Sequence, residues 1–257
     1  CSNYSNNRSD NKSKIYYDIN LDSYYISFYS SNNKKKEIKM SNISKQKLVT
    51  LLRFLYPLWA AIGIFSILYV PSKLIAVGDA VTTASNILAN ESLFRMSIAG
   101  TLFTHLIHIV VVLILYNLFK SVDKNQSKLI IILGLIGVPI AMFNEINSLT
   151  ALILLNNPDQ MMFFLELHAV GVIIASIFWG LWLLPQGVLI YKSRYWPKIF
   201  SILMILAGFG FLIGSFIQII SPHDSTLISL FEFLTIGETL FMLWVIIRGA
   251  NLPKTQN

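Results

Sequence analysis

Met96–Phe119 reads MSIAGTLFTHLIHIVVVLILYNLF, a continuous apolar run without a single Asp, Glu, Lys or Arg. At 1.5 Å per helical residue, such a run covers the ~30 Å hydrocarbon core of a bilayer, which needs about 20 residues. Five further long, mainly apolar runs lie at 49–70, 129–155, 163–191, 199–220 and 226–248. They are continuous rather than alternating, so they read as helices and not as strands of a barrel. The fold class that follows is all-α: a polytopic membrane bundle of six transmembrane helices. The runs at 129–155 and 163–191 exceed a bare span and are expected to tilt or project. Pro57, Pro139 and Pro185 fall inside runs and are expected to kink them.

Composition agrees. Of 257 residues, 54% are hydrophobic and only 13% charged, and the mean hydropathy is +0.61. A soluble domain carries about 25% charged residues. The net charge of +7 does not mark a nucleic-acid partner, because half of the 20 Lys and Arg precede residue 54 and the rest lie mainly in short loops. No basic face with interleaved aromatics is available. The single cysteine, Cys1, excludes an internal disulfide and any site built from several thiolates.

The loops give an orientation. Lys45, Lys47 and Arg53 precede or open the first run; Lys120, Lys124 and Lys128 join the second and third; Lys192, Arg194 and Lys198 join the fourth and fifth; Arg248 and Lys254 follow the sixth. The alternate loops hold only Lys73 and Arg95. The positive-inside rule then puts both termini in the cytoplasm of a cell-membrane protein.

Residues 1–39 differ from the rest: Ser, Asn, Tyr and Lys supply 27 of the 39, too little apolar surface to offset ordering, so a disordered polar tail is expected. Met40, followed by the basic lead Ser41–Lys47, is the expected start of a 40–250 membrane domain, with 251–257 a short C-terminal tail. Cys1 reads either as the lipid-bearing residue of a processed lipoprotein or as an incidental start. A lipidated Cys1 would sit outside, against the charge pattern. The loop 71–95 holds Asp79 as an N-cap, followed by Ala80, Val81, Ala84, Ile87 and Leu88 on one helical face. A short amphipathic helix at the outer surface follows, serving as a connector or as a lid.

Polar side chains inside the runs carry the functional question, since ionisable groups there are costly. The second run bears Thr101, Thr104, His105 and His108 on one stripe; the third Asn144, Glu145, Asn147 and Ser148; the fourth Glu166 and His168; the sixth Glu232, Thr235, Glu238 and Thr239. Counted from the outer ends, Glu166, His168 and Glu232 lie roughly 5–9 Å deep, His105 about 13 Å, and His108 and Glu238 about 18 Å. Glu145 also falls in the outer half.

Three readings of this cluster stay open. His105 and His108, at i and i+3, with carboxylates from other helices, would suit a divalent metal such as zinc, able to activate water in an intramembrane hydrolase. A Glu–His relay would suit solute or ion handling. Interhelical hydrogen bonding would suit a structural or regulatory membrane partner without catalysis. Glu166 and His168 stand about 200° apart around an ideal helix, which weakens a common metal. No cofactor is identified by any motif: Gly208-Phe209-Gly210 with Gly214 follows no strand, and Gly210 and Gly214 read as a close helix–helix approach. Besides the lipid bilayer, the sequence names no partner protein or solute. Tyr116, Tyr195, Trp196 and Trp244 read as an interfacial aromatic belt, and Trp179 and Trp182 as packing.

Two blocks carry a family resemblance: Gly78-Asp79-Ala80 through Asn86-Ile87-Leu88-Ala89-Asn90-Glu91-Ser92-Leu93-Phe94-Arg95, and Leu184-Pro185-Gln186-Gly187 through Lys192-Ser193 and Trp196-Pro197 to the glycines of the fifth run. In order and topology they make the chain, over residues 48–250, similar to the bacterial multipass membrane family known as domain of unknown function 4386. The resemblance implies a multipass membrane protein and carries over no activity, cofactor or catalytic residue.

Overall fold

The computed structural model describes residues 45–253. The expected tail 1–39 and all but the first residues of 251–257 lie outside them. Lys47–Leu252 forms one compact unit; the other unit, Cys1–Gln46 with Pro253–Asn257, falls almost wholly outside the described residues.

Every regular element among the described residues is helical. Six helices are long and apolar enough to cross a membrane: α1 (Lys45–Leu74), α3 (Glu91–Phe119), α4 (Lys124–Ile153), α5 (Pro158–Ser193), α6 (Ile199–Ile220) and α7 (Ser225–Arg248). The short α2 (Ala80–Ala89) lies between the first two. Each hydropathy run is recovered, and most helices begin several residues before it. The polar first turns that hydropathy leaves out are made helical by caps: Asp123, Asn157 and Asp224 each accept a backbone N–H of the helix they precede.

The large apolar side chains that face away from the bundle are those a bilayer would solvate. Phe54, Phe143, Phe163, Phe233 and Ile247 are all exposed, the inverse of a soluble surface. Lipid tails do not drive helices together, so the contacts must come from close backbone approach and polar ties. Both are present. From α5 to α7 the seam is built of small residues. A Cβ on Gly180 would stand 2.6 Å from the Gly208 carbonyl and 2.7 Å from the Leu212 nitrogen, and one on Gly210 2.7 Å from the Phe231 carbonyl. Ser201 Oγ donates to the Gly187 carbonyl at 2.8 Å across the same seam.

The end of the bundle that holds the basic loops is pinned by side chains. Arg53 Nε donates to the Ile246 carbonyl at 3.0 Å, so α1 supplies a cation to the negative end of α7. Lys192 at the end of α5 donates to Asp123 Oδ2 at 2.7 Å. The Trp196 indole donates to the Gly249 carbonyl at 2.9 Å. Tyr195 and Trp196 are therefore core residues, only 4% and 2% exposed, and do not form an interfacial belt; their rings pack on Phe119 and, for Trp196, on Phe241.

At the other end, α2 is capped by Asp79, which accepts from Thr82 N at 2.9 Å. Its buried face is Thr83, Ala84 and Ile87, whereas Val81 and Leu88 are 66% and 63% exposed. The expected single apolar face is thus two faces about a quarter-turn apart at 100° per residue. One packs with Leu74, Phe94, Ile98 and Leu165, and the other points away from the bundle.

Two predictions follow from these contacts. Gly180→Ala should destabilise the protein by about 1–3 kcal/mol, because a Cβ there meets backbone. Gly63→Ala, where a Cβ meets nothing within 4 Å, should stabilise it by about 0.5–1 kcal/mol; chemical unfolding in detergent reads both. Hydrogen bonding from Lys192, and then from the Gln126 N–H, holds the Asp123 carboxyl below the usual carboxylate range. A folded-state value below the unfolded one contributes stability above that range, lost as pH falls through the folded value. Melting temperature against pH should show an acid-side loss that shrinks in Asp123→Asn.

Candidate functional site

The polar residues of α3, α4 and α5 meet in the half of the bundle away from the basic loops. His168 Nε2 donates to Glu145 Oε1 at 3.0 Å, and the carboxylate is almost fully buried. Asn144 Nδ2 donates to the His168 carbonyl at 2.8 Å, and Asn147 Nδ2 to Asn144 Oδ1 at 2.9 Å. The Asn144 amide lies where Gly171 lacks a Cβ, which would overlap it. A Gly in α5 therefore lets the side chain lie flat between two helices.

These residues wall a cavity of about 430 Å³. Its apolar part comes from α1, α3 and α5, through Ile67, Ile98 and Ile173 among others. Its polar part is Ser97, Thr101 and His105 of α3, Asn144, Glu145 and Ser148 of α4, and His168 of α5, with Gln218 at the end of α6. Ser66 also lines it. It belongs to a π-helical turn, Ile64–Tyr69, closed by Val70 N–H on the Phe65 carbonyl. Ser66 is 3% exposed, and its buried Oγ has no hydrogen-bond partner among the described residues. Turns of this kind recur at functional sites.

A second cavity of about 160 Å³ adjoins the first, and Ile67, His105 and Trp179 line both. Its other walls are Trp59 of α1, Thr104 and His108 of α3, Trp182 of α5, Phe211 of α6 and Glu238 of α7. His108 sits 4.6 Å from the Trp182 ring centroid and 5.3 Å from that of Trp59. Its Nε2 donates to the Gly134 carbonyl at 3.1 Å. A carbonyl can only accept, so Nε2 carries hydrogen and Nδ1 alone is left as a possible ligand atom.

The structure thus brings His105 together with Asn144, Glu145 and His168 on one cavity, and with His108 and Glu238 on the other. Glu166 and Glu232 join neither: both are exposed on the outer faces of α5 and α7. Among the described residues no three His, Cys, Asp or Glu form a group able to hold a metal ion. Sequence reasoning passed over Trp59, Ser66, Ser97 and Gln218. Gln218 had a signal, an amide within an apolar run; a lone Trp or Ser in such a run has none.

The family model for the domain of unknown function DUF4386 matches residues 54–249, most of the chain. The protein belongs to the DUF4386 family. It is 28% identical over 160 residues to an uncharacterized protein of Archaeoglobus fulgidus, an alignment that covers 62% of this chain and 86% of the relative. No solved structure matches it. The matched region of this DUF4386 chain takes in every residue of both cavities.

The geometry separates the carboxylates by role. Glu145→Ala leaves His168 without its acceptor and should destabilise by about 1–3 kcal/mol, while Glu145→Gln keeps an acceptor oxygen and should cost less. Glu166→Ala and Glu232→Ala, on exposed faces, should stay within about 0.5 kcal/mol. Unfolding curves of the four variants in one detergent test the contrast.

Proposed function

We propose that the protein is a cell-membrane protein that handles a small solute or ion through the larger cavity, with the Glu145–His168 pair as its polar anchor. The observation that carries this reading is the Glu145–His168 pair, hydrogen-bonded on the wall of a 430 Å³ space whose other lining is mainly apolar. Apolar walls with a few convergent polar groups suit a small amphiphilic solute.

Both termini are placed in the cytoplasm in this reading, because the Lys- and Arg-rich loops gather at the end where α1 begins and α7 finishes. The cavity then faces outward. Glu145, hydrogen-bonded to His168 and within electrostatic reach of His105, is positioned to link binding to a proton.

Two measurements test this. A panel of small amphiphilic solutes, titrated against the protein in nanodiscs at two pH values, should yield at least one that quenches tryptophan fluorescence saturably. Glu145→Gln should abolish the pH dependence of that binding, and His168→Gln should weaken it about three- to tenfold. If no solute binds saturably, or if the variants only lower thermal stability, the cluster is structural. For orientation, Cys1→Ser removes the chain's one thiol. On that background Thr82→Cys should label from outside intact cells, and Asn125→Cys only after permeabilisation.

A further inference from the structure

The smaller cavity has a composition unlike the rest of the bundle. Its walls include three indoles and a phenyl ring, from Trp59, Trp179, Trp182 and Phe211, and a single carboxylate, Glu238. These come from four different helices, so the grouping does not follow from the spacing of any one. Glu238 makes no hydrogen bond or ion pair among the described residues. Among the described residues no Lys or Arg lines the space; Arg53 of α1 is turned to the carbonyls of Ile246 and Ile247 instead.

From this arrangement we infer that the chamber enclosed by Trp59, Trp179, Trp182, Phe211 and Glu238 binds a small organic ammonium ion. Aromatic faces attract a cation through their quadrupole, most strongly where water is excluded, and an indole is the best of them. The carboxylate supplies the compensating charge. The volume, about 160 Å³, is close to the ~150 Å³ cavity that admits benzene, and a tetramethylated ammonium is of comparable bulk.

An inorganic ion fits the walls less well. Calcium takes six to eight oxygen ligands and magnesium a near-octahedral set. Here Glu238 and Thr104 are the only side-chain oxygens on the wall, and Thr104 Oγ1 already donates to the Thr101 carbonyl at 2.7 Å. A methylated ammonium needs no such shell, because its charge is spread over methyl groups that pack on rings. The two imidazoles fit the same picture. His108 is committed through Nε2 to Gly134, and His105 stands at the shared wall, 6.3 Å from the Trp179 ring centroid. The inference rests on the smaller chamber and does not depend on what occupies the larger one.

The test titrates tetramethylammonium chloride, and separately choline, against the full chain in nanodiscs, reading tryptophan fluorescence, with sodium chloride as the ionic-strength control. The neutral carbon isostere of choline, which has its shape without its charge, is run beside them. Both ammonium ions should give a saturable change and the isostere none. Glu238→Gln, nearly isosteric, should weaken tetramethylammonium binding by about tenfold or more, and Trp59→Leu should weaken it too. Glu166→Gln, exposed on α5 and on neither cavity, should leave it unchanged. The inference fails if the ammonium ions give no saturable signal, if the isostere binds equally well, or if Glu238→Gln binds tetramethylammonium as tightly as the unaltered protein. Because the isostere comparison uses the unaltered protein, it decides the matter even if a variant fails to fold.

Discussion

The Asn144 amide lying across Gly171 sets the spacing of α4 and α5, and with it the larger cavity. Its Nδ2 reaches the His168 carbonyl, and the next residue, Glu145, receives the His168 ring. Two consecutive residues of one helix thus hold the backbone and the side chain of a single residue on the next. In water such bonds compete with solvent; in hydrocarbon the competing partners are few, though measured values remain modest, about 0.6–2 kcal/mol each. What they add is register. A shift of α5 by one residue would carry His168 some 100° around its axis and break both contacts together.

The bundle divides its cohesion accordingly. Between α5, α6 and α7 the glycines bring backbones so near that Gly180 and Gly208 lie against each other. Between α3, α4 and α5 the ties are polar, with His108 on Gly134 and Asn144 and Glu145 on His168. Side chains long enough to make such ties also hold helices apart. The larger cavity lies on this looser side, and the smaller one extends from it to Phe211 of α6 and Glu238 of α7, while Arg53, Lys192 and Trp196 tie the opposite end.

The helices were legible because a membrane span is a long, one-dimensional signal: length and apolarity alone identify each. The site was legible only in part. His105, Glu145 and His168 stood out as ionisable groups in apolar runs, and they do meet on one cavity. Glu166 and Glu232 stood out by the same criterion and face away, because depth along a helix can be counted from sequence but rotation about the axis cannot. Rotation is fixed by neighbours such as Gly171 and Gly180, whose partners lie on other helices. For the same reason the exposed faces of Val81 and Leu88 could not be told from the buried face of Ala84 and Ile87. Trp196 shows a further limit. A Trp near a helix end fits a lipid interface or a core equally well, and its bond to Gly249 joins positions 53 residues apart.

The π turn in α1 is the least legible element and has the widest consequence. Val70 N–H closes on Phe65, five residues back, so the turn holds one residue more than an α turn and the helix beyond it is rotated relative to an unbroken continuation. That rotation places Val70 and Leu74 in the packed cluster under α2 and Pro71 and Ile75 on the cavity wall. Pro71 lacks the N–H that a regular helix would direct at Ile67, so the register change falls where the α ladder is already interrupted. Within the turn, Ile67 touches both cavities and Ser66 lies against Gly100 of α3, where any side chain larger than hydrogen would overlap it. The unsatisfied hydroxyl and the irregular turn are thus one feature. The first span carries a backbone irregularity at the junction of the two cavities, and the hydroxyl it buries against Gly100 has no partner among the described residues.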